Sequence, residues 1–241
     1  MTTHQVRLAG REEIAAGTMA FHFEKPGGFT FKPGQAIDLI LTGLPSAEPQ
    51  SARHTFSLVS APFQGTLTIA TRMRDSAFKN ALQALPVGSH VKLEGPFGSL
   101  TLHSNHARPA VFVAGGIGIT PFMSILTQAA RDRLPQQLTL LYSNRRPEDA
   151  AFLDELRALE QQNRNFSLVA TMTEMNKSDR PWTGMTGLID QNLVTRVSTG
   201  APSPPIYYIA GPPAMVAGLR EMLGHAGIGD DDIRSEEFYG Y

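Results

Sequence analysis

The sequence predicts a two-domain chain, an N-terminal antiparallel β-barrel followed by an α/β domain built on a doubly wound parallel sheet. Three observations predict it. Short alternating strands separated by Gly and Pro fill the first hundred residues. From about Pro109 the pattern changes to strands alternating with helical-period segments. At that change, Ala114–Phe122 carries a glycine-rich turn between an apolar run and an apolar-periodic one. The boundary falls near Leu102–Arg108, giving domains 1–104 and 105–241.

In the barrel, strands are expected at Thr18–Glu24, Ala36–Leu41, His54–Ser60 and Thr66–Met73, because apolar and polar residues alternate there. A lone helix then interrupts them. Ser76 caps a run in which Phe78, Ala81, Leu82 and Leu85 share a face, and Pro86 stops it. One more strand, His90–Glu94, leads into Gly95-Pro-Phe-Gly98.

In the second domain, strands are expected at Ala110–Ala114, Leu138–Tyr142, Phe166–Thr171, Ile206–Ala210 and Ile233–Phe238. Helices are expected near Pro121–Arg131, Glu148–Gln161, Leu188–Arg196 and Ala214–His225. Strand-helix alternation of this kind gives a parallel sheet with right-handed crossovers.

Composition narrows the function. The 241 residues are 41% apolar and 18% charged, which suits a globular protein with a substantial core. A formal net charge of −1 provides no bulk attraction to nucleic acid or anionic membrane. No run has the length of a membrane span, and the first residues lack the basic-then-apolar leader pattern, so a cytoplasmic protein is expected. With no cysteine, disulfides, thiolate metal sites, iron–sulfur ligation and cysteine nucleophiles are excluded. His103 and His106 lie close together, but no acidic ligand stands beside them and no metal site is expected. No Gly-x-Ser-x-Gly elbow marks a hydrolase.

Glycines at 115, 116 and 118 let backbone N–H groups approach a phosphate at a helix start, where the dipole favours anions. The same glycines also suit a tight turn that packs helix on sheet, and their spacing differs from Gly-x-Gly-x-x-Gly. Both readings stay open on the turn alone.

Three further segments bear on that turn. Phe56-Ser57 follows Arg53-His54-Thr55 on a barrel strand, Arg72–Phe78 joins a strand to the lone helix, and Gly211–Met215 ends a strand of the second domain. In this order the four segments resemble the ferredoxin–NADP reductase family of flavoprotein oxidoreductases, from Phe31-Lys-Pro-Gly-Gln35 to the final Tyr241.

The resemblance implies roles for named residues. Phe56 would lie against the flavin ring and Ser57 would hydrogen-bond near its N5. The family's arginine position holds His54, with Arg53 one place earlier; a one-residue shift on a strand turns a side chain to the other face. Flavin phosphates would be met by His54, or by Arg72 and Arg74, with Thr71 beside them; a solvated basic pair is the plainer account of these arginines. Ser76, Ala77 and Phe78 would offer helix N–H groups to the pyrophosphate, unless they are simply a capped helix start.

For the nicotinamide nucleotide, the resemblance points to Gly115, Gly116, Gly118 and Thr120, with Gly211, Pro212 and Met215 shaping the slot. Many relatives carry a cysteine just before that Gly-Pro pair; here it is Ala210. Ser143 and Arg145 resemble a 2′-phosphate-binding pair, which favours NADPH over NADH, although Leu188 replaces a second arginine and Glu148 and Asp149 also read as helix-start acids. Glu236 would relay a proton, and Phe238 would cover a flavin face or merely close the core; Tyr241 is a second aromatic lid.

The function implied is electron transfer from NAD(P)H through FAD (FMN is less favoured) to a separate one-electron carrier such as ferredoxin or flavodoxin, in a transient encounter. Two other classes stay in view, an electron-transfer flavin subunit of a larger complex and a reductase of free flavin. The oligomeric state is not legible in the residues.

Overall fold

The computed structural model describes residues 2–41 and 52–239. Among the described residues, one six-stranded sheet comprises β1 (Thr2–Ala15), β2 (Thr18–Glu24), β3 (Ala36–Ile40), β4 (Arg53–Ser57), β5 (Thr66–Arg72) and β6 (His90–Phe97). Its order is β4-β3-β6-β1-β2-β5, antiparallel throughout. Beyond β4 the chain meets β5 again, with Val59 N–H donating to the Thr68 carbonyl at 2.8 Å and Thr68 N–H to Ser60 Oγ at 3.0 Å, which closes the barrel.

Strand β1 has no counterpart in the sequence reading. Its alternation is faint because only Val6 and Leu8 are buried, and the register shifts between Leu8 and Gly10. It is held by its ladders to β2 and β6 on either side rather than by a wide apolar face.

The second sheet contains β7 (Ala110–Gly115), β8 (Leu138–Asn144), β9 (Phe166–Met172), β10 (Met185–Thr186), β11 (Ile206–Gly211) and β12 (Ile233–Glu237). All are parallel, in the order β10-β9-β8-β7-β11-β12. Strands β7 and β11, at its centre, are buried along their whole length, as a sheet covered on both faces requires. The sheet order reverses beside β7, since β8 lies on one side of it and β11 on the other; ligands bind at such a switch point.

Helix α1 is Ala77–Ala84, α2 Thr120–Asp132, α3 Leu153–Gln162, α4 Gln191–Ser198 and α5 Pro213–His225. Two expected helices are displaced. The one expected over Glu148–Gln161 is a 3-10 turn at Pro147–Asp149, then α3, because Phe152 takes a left-handed conformation (φ 60°) that interrupts a helix. The one expected from Leu188 starts at Gln191, where the Asp190 side chain caps the N–H of Leu193 at 2.8 Å. Leu188 and Ile189 are thereby left outside the helix.

The core runs through both sheets. Ala20, Val59 and Ala70 of the barrel share one apolar cluster with Phe112, Phe122, Ile125 and Tyr208 of the α/β sheet. Ser124, fully buried, donates through Oγ to the Ser60 carbonyl at 2.7 Å across that junction.

Candidate functional site

Strand alternation decides which residues of β4 face helix α1. His54 and Phe56 pack toward α1, with ring centroids 4.4 and 6.0 Å from Phe78. Arg53 and Thr55 point the other way. Arg53 pairs with Asp38 at 2.8 Å and Glu94 at 2.7 Å, and Thr55 donates to Asp38 at 2.5 Å. Arg53 is therefore removed from the candidate site: its guanidinium is committed to Asp38 and Glu94, away from the rings of His54 and Phe56. Burial, reinforced by the Lys79 charge, lowers the His54 pKa below its ordinary value.

Ser76 caps α1 as the sequence predicts, its Oγ accepting from the Lys79 N–H at 3.2 Å. The helix start is markedly positive. Among the described residues, the first turn of α1 contains no acid, and Lys79, 9% exposed, donates through Nζ to the Arg72 carbonyl at 2.8 Å. Burial and then the nearby Arg74 lower the Lys79 pKa. Ser57 and Thr71 are buried at the ends of their strands. Lys79 escaped the sequence reading because a lysine in a helical run normally reads as solvated.

A cavity of about 630 Å³ opens between the two domains. Thr18, Arg72 and Arg74 form its barrel wall, and Gly115, Gly116, Pro212 and Met215, at the ends of β7 and β11, form the facing wall. Ser143, Arg145 and Asp149 continue it beyond β8, and Leu188 and Ile189 rim it. The cavity thus lies off the carboxyl ends of the parallel strands.

The glycines of the opening turn divide between the two readings of it. Gly116 (φ +52°) has open space where a Cβ would stand, as a phosphate-facing backbone requires. A Cβ on Gly118 would meet the Ala210 carbonyl oxygen at 2.2 Å, and one on Gly115 the Met215 sulfur at 2.4 Å. So Gly118 lets the turn pack against β11, and Gly115 leaves room for the Met215 side chain of α5 while also lining the cavity. Gly118 and Gly211 do not reach the cavity wall, and neither does Thr120, whose buried hydroxyl donates to the Ile117 carbonyl at 3.1 Å.

At the far end, Glu236 lies beside Ala210 on β12, and burial raises its carboxyl pKa. Phe238 donates its N–H to the Gly211 carbonyl at 2.9 Å and packs, half-buried, on the core cluster that joins the domains. Tyr241 lies outside the described residues. His103, buried, has its Nδ1 2.7 Å from the Tyr208 hydroxyl.

Residues 112–221 match the family model of the oxidoreductase NAD-binding domain. The chain is similar to the reductase component of propane 2-monooxygenase from Rhodococcus jostii (strain RHA1), 31% identical over 219 residues, covering 89% of this chain and 57% of that protein. It therefore spans little more than half the length of that relative. It is also similar to ferredoxin–NADP reductase B of Sorangium cellulosum (strain So ce56), 28% identical over 97% of both chains. A ferredoxin NADP+ reductase from Neisseria gonorrhoeae, solved with bound FAD and NADP, shares the fold with a TM-score of 0.80 at 22% identity, covering 98% of each chain.

Proposed function

The chain belongs to the ferredoxin–NADP reductase-like family, and on that basis we propose that it is a flavin-dependent oxidoreductase carrying electrons from NAD(P)H to a one-electron carrier. The observation that carries this reading is the interdomain cavity, with cationic barrel residues Arg72 and Arg74 on one side and, on the other, Gly115 and Gly116 at the end of β7 with Pro212 and Met215 after β11. One domain presents an aromatic face and a positive helix start; the other presents a dinucleotide-type turn at a switch point.

Bound FAD supplies a ring that accepts hydride and returns electrons singly. The protein holds and orients. Phe56, His54 and Phe78 would form the aromatic wall beside the ring, and Ser57 would hydrogen-bond near it. Arg74 and the N–H groups at Ser76–Phe78 would bind the pyrophosphate, and Thr71 would shape the same groove. Gly115, Gly116, Pro212 and Met215 admit the nicotinamide nucleotide, and Ser143 with Arg145 favours NADPH. Glu236, kept in its protonated form to a higher pH by burial, would be the group that moves a proton. The acceptor is a separate redox protein, a ferredoxin or flavodoxin or the oxidising component of an oxygenase, met transiently.

Anaerobic reduction of the FAD-reconstituted protein, followed by flavin absorbance with NADPH and NADH in parallel, tests this. Bleaching that is faster with NADPH, followed by turnover with an added one-electron acceptor, is expected. Protein that binds neither FAD nor FMN overturns the reading. Equal rates overturn the NADPH preference, and rapid exchange with saturable use of added FMN points instead to reduction of free flavin.

A further inference from the structure

Asp149 does not open a helix. It closes the 3-10 turn Pro147–Asp149, and its side chain is 2% exposed. Arg146 grips both carboxylate oxygens, Nε to Oδ2 at 2.9 Å and Nη2 to Oδ1 at 3.0 Å. The same oxygens face two more guanidinium groups. Arg72 Nη2 lies 3.5 Å from Oδ1, and Arg145 Nε lies 3.8 Å from Oδ2.

These two arginines come from different domains. Arg72 ends strand β5 of the barrel, and Arg145 directly follows β8 of the α/β sheet. Both line the cavity, whereas Arg146 is not on its wall and turns Nη1 to Glu148 at 3.3 Å. Two cationic side chains, Arg72 and Arg145, therefore stand on the cavity wall against one carboxylate already gripped from behind. That leaves uncompensated positive charge facing the cavity, which suits a phosphate dianion.

We propose that Asp149 is a positioning residue: by its contacts to Arg72 and Arg145 it holds one arginine from each domain where the pair receives the 2′-phosphate of NADPH. This rests on the reading that the cavity takes a nicotinamide dinucleotide. It differs in sign from the simpler role of an acid in a cationic site. If Asp149 only subtracted charge, its neutralisation would tighten anion binding. If it positions the arginines, neutralisation loosens binding.

Calorimetric titration of the flavin-loaded protein with adenosine 2′,5′-bisphosphate and with 5′-AMP separates these roles. Asp149→Asn is expected to weaken the bisphosphate by about tenfold, the loss of roughly one charge-assisted hydrogen bond, with little change for 5′-AMP. Affinity that is unchanged or tighter, or equal weakening of both ligands, overturns the proposal. Arg146→Gln leaves the carboxylate but removes its anchor, and it serves if Asp149→Asn does not fold. It is expected to move the bisphosphate in the same direction, and no loss there counts equally against the proposal. Native protein that binds neither ligand defeats the dinucleotide reading itself, and this proposal with it. Native binding unaltered in the variants defeats only the positioning role.

Discussion

Gly118 and Gly116 stand two residues apart and are glycine for different reasons. A methyl at 118 collides with a backbone carbonyl that cannot swing away, so Gly118→Ala is expected to destabilise the protein by about 1–3 kcal/mol in urea unfolding. Gly116→Ala meets no atom and carries only the penalty of its positive φ, about 1 kcal/mol, and its larger effect should be on nucleotide binding. The barrel offers a parallel contrast. Arg53→Ala should leave FAD retention unchanged because that side chain is committed to Asp38 and Glu94, whereas His54→Ala should weaken it. Equilibrium dialysis against FAD distinguishes the two. For Glu236, burial raises the folded pKa above the ordinary 4.5, so its contribution to stability is full below that value and is lost as pH rises through the folded pKa. Glu236→Gln should therefore raise the melting temperature near neutral pH and lose that advantage in acid, as a pH series of thermal melts would show.

The lone helix α1 joins structure to binding. Its N-cap, the Ser76 hydroxyl, satisfies an orphan N–H of the first turn, and Ser76→Ala is expected to cost about 1 kcal/mol. If the helix start also holds the flavin pyrophosphate, the same variant should release FAD faster, read as recovery of flavin fluorescence on dilution. Local rules made this helix legible in the sequence, since cap, apolar face and terminating Pro86 all lie within a dozen residues. They did not suffice at Glu148–Gln161. There Phe152 takes a left-handed conformation, and the buried Tyr142 hydroxyl of β8 donates to the Ala151 carbonyl at 3.0 Å, so the segment follows a non-helical path that no cap or period announces. Strand β1 failed to register for a related reason, as its stability comes from two ladders and not from a periodic apolar face.

The two sheets share a core, and this sets how the protein should unfold. Ile125 belongs to the cluster that also holds Val59 and Ala70 of the barrel, and its Cδ1 would lie 3.0 Å from a Cβ at Gly34. Ile125→Ala is expected to cost about 2–5 kcal/mol and to shift far-UV dichroism and flavin fluorescence together. Separate transitions for the two signals would show that the domains unfold independently. Among the described residues no helix is long and apolar enough to cross a membrane.

The alternation of most strands and helices, the change of period near Pro109 and the glycine-rich turn that follows it were written in the chain, because each depends on residues close together in sequence. Which face of β4 carried His54, why Gly118 is glycine, and how Asp149 gathers arginines from both domains were decided only by the tertiary structure. Those features are contacts between residues far apart in the chain, as with Arg72 and Asp149, and no local period or cap encodes which distant side chain will face which.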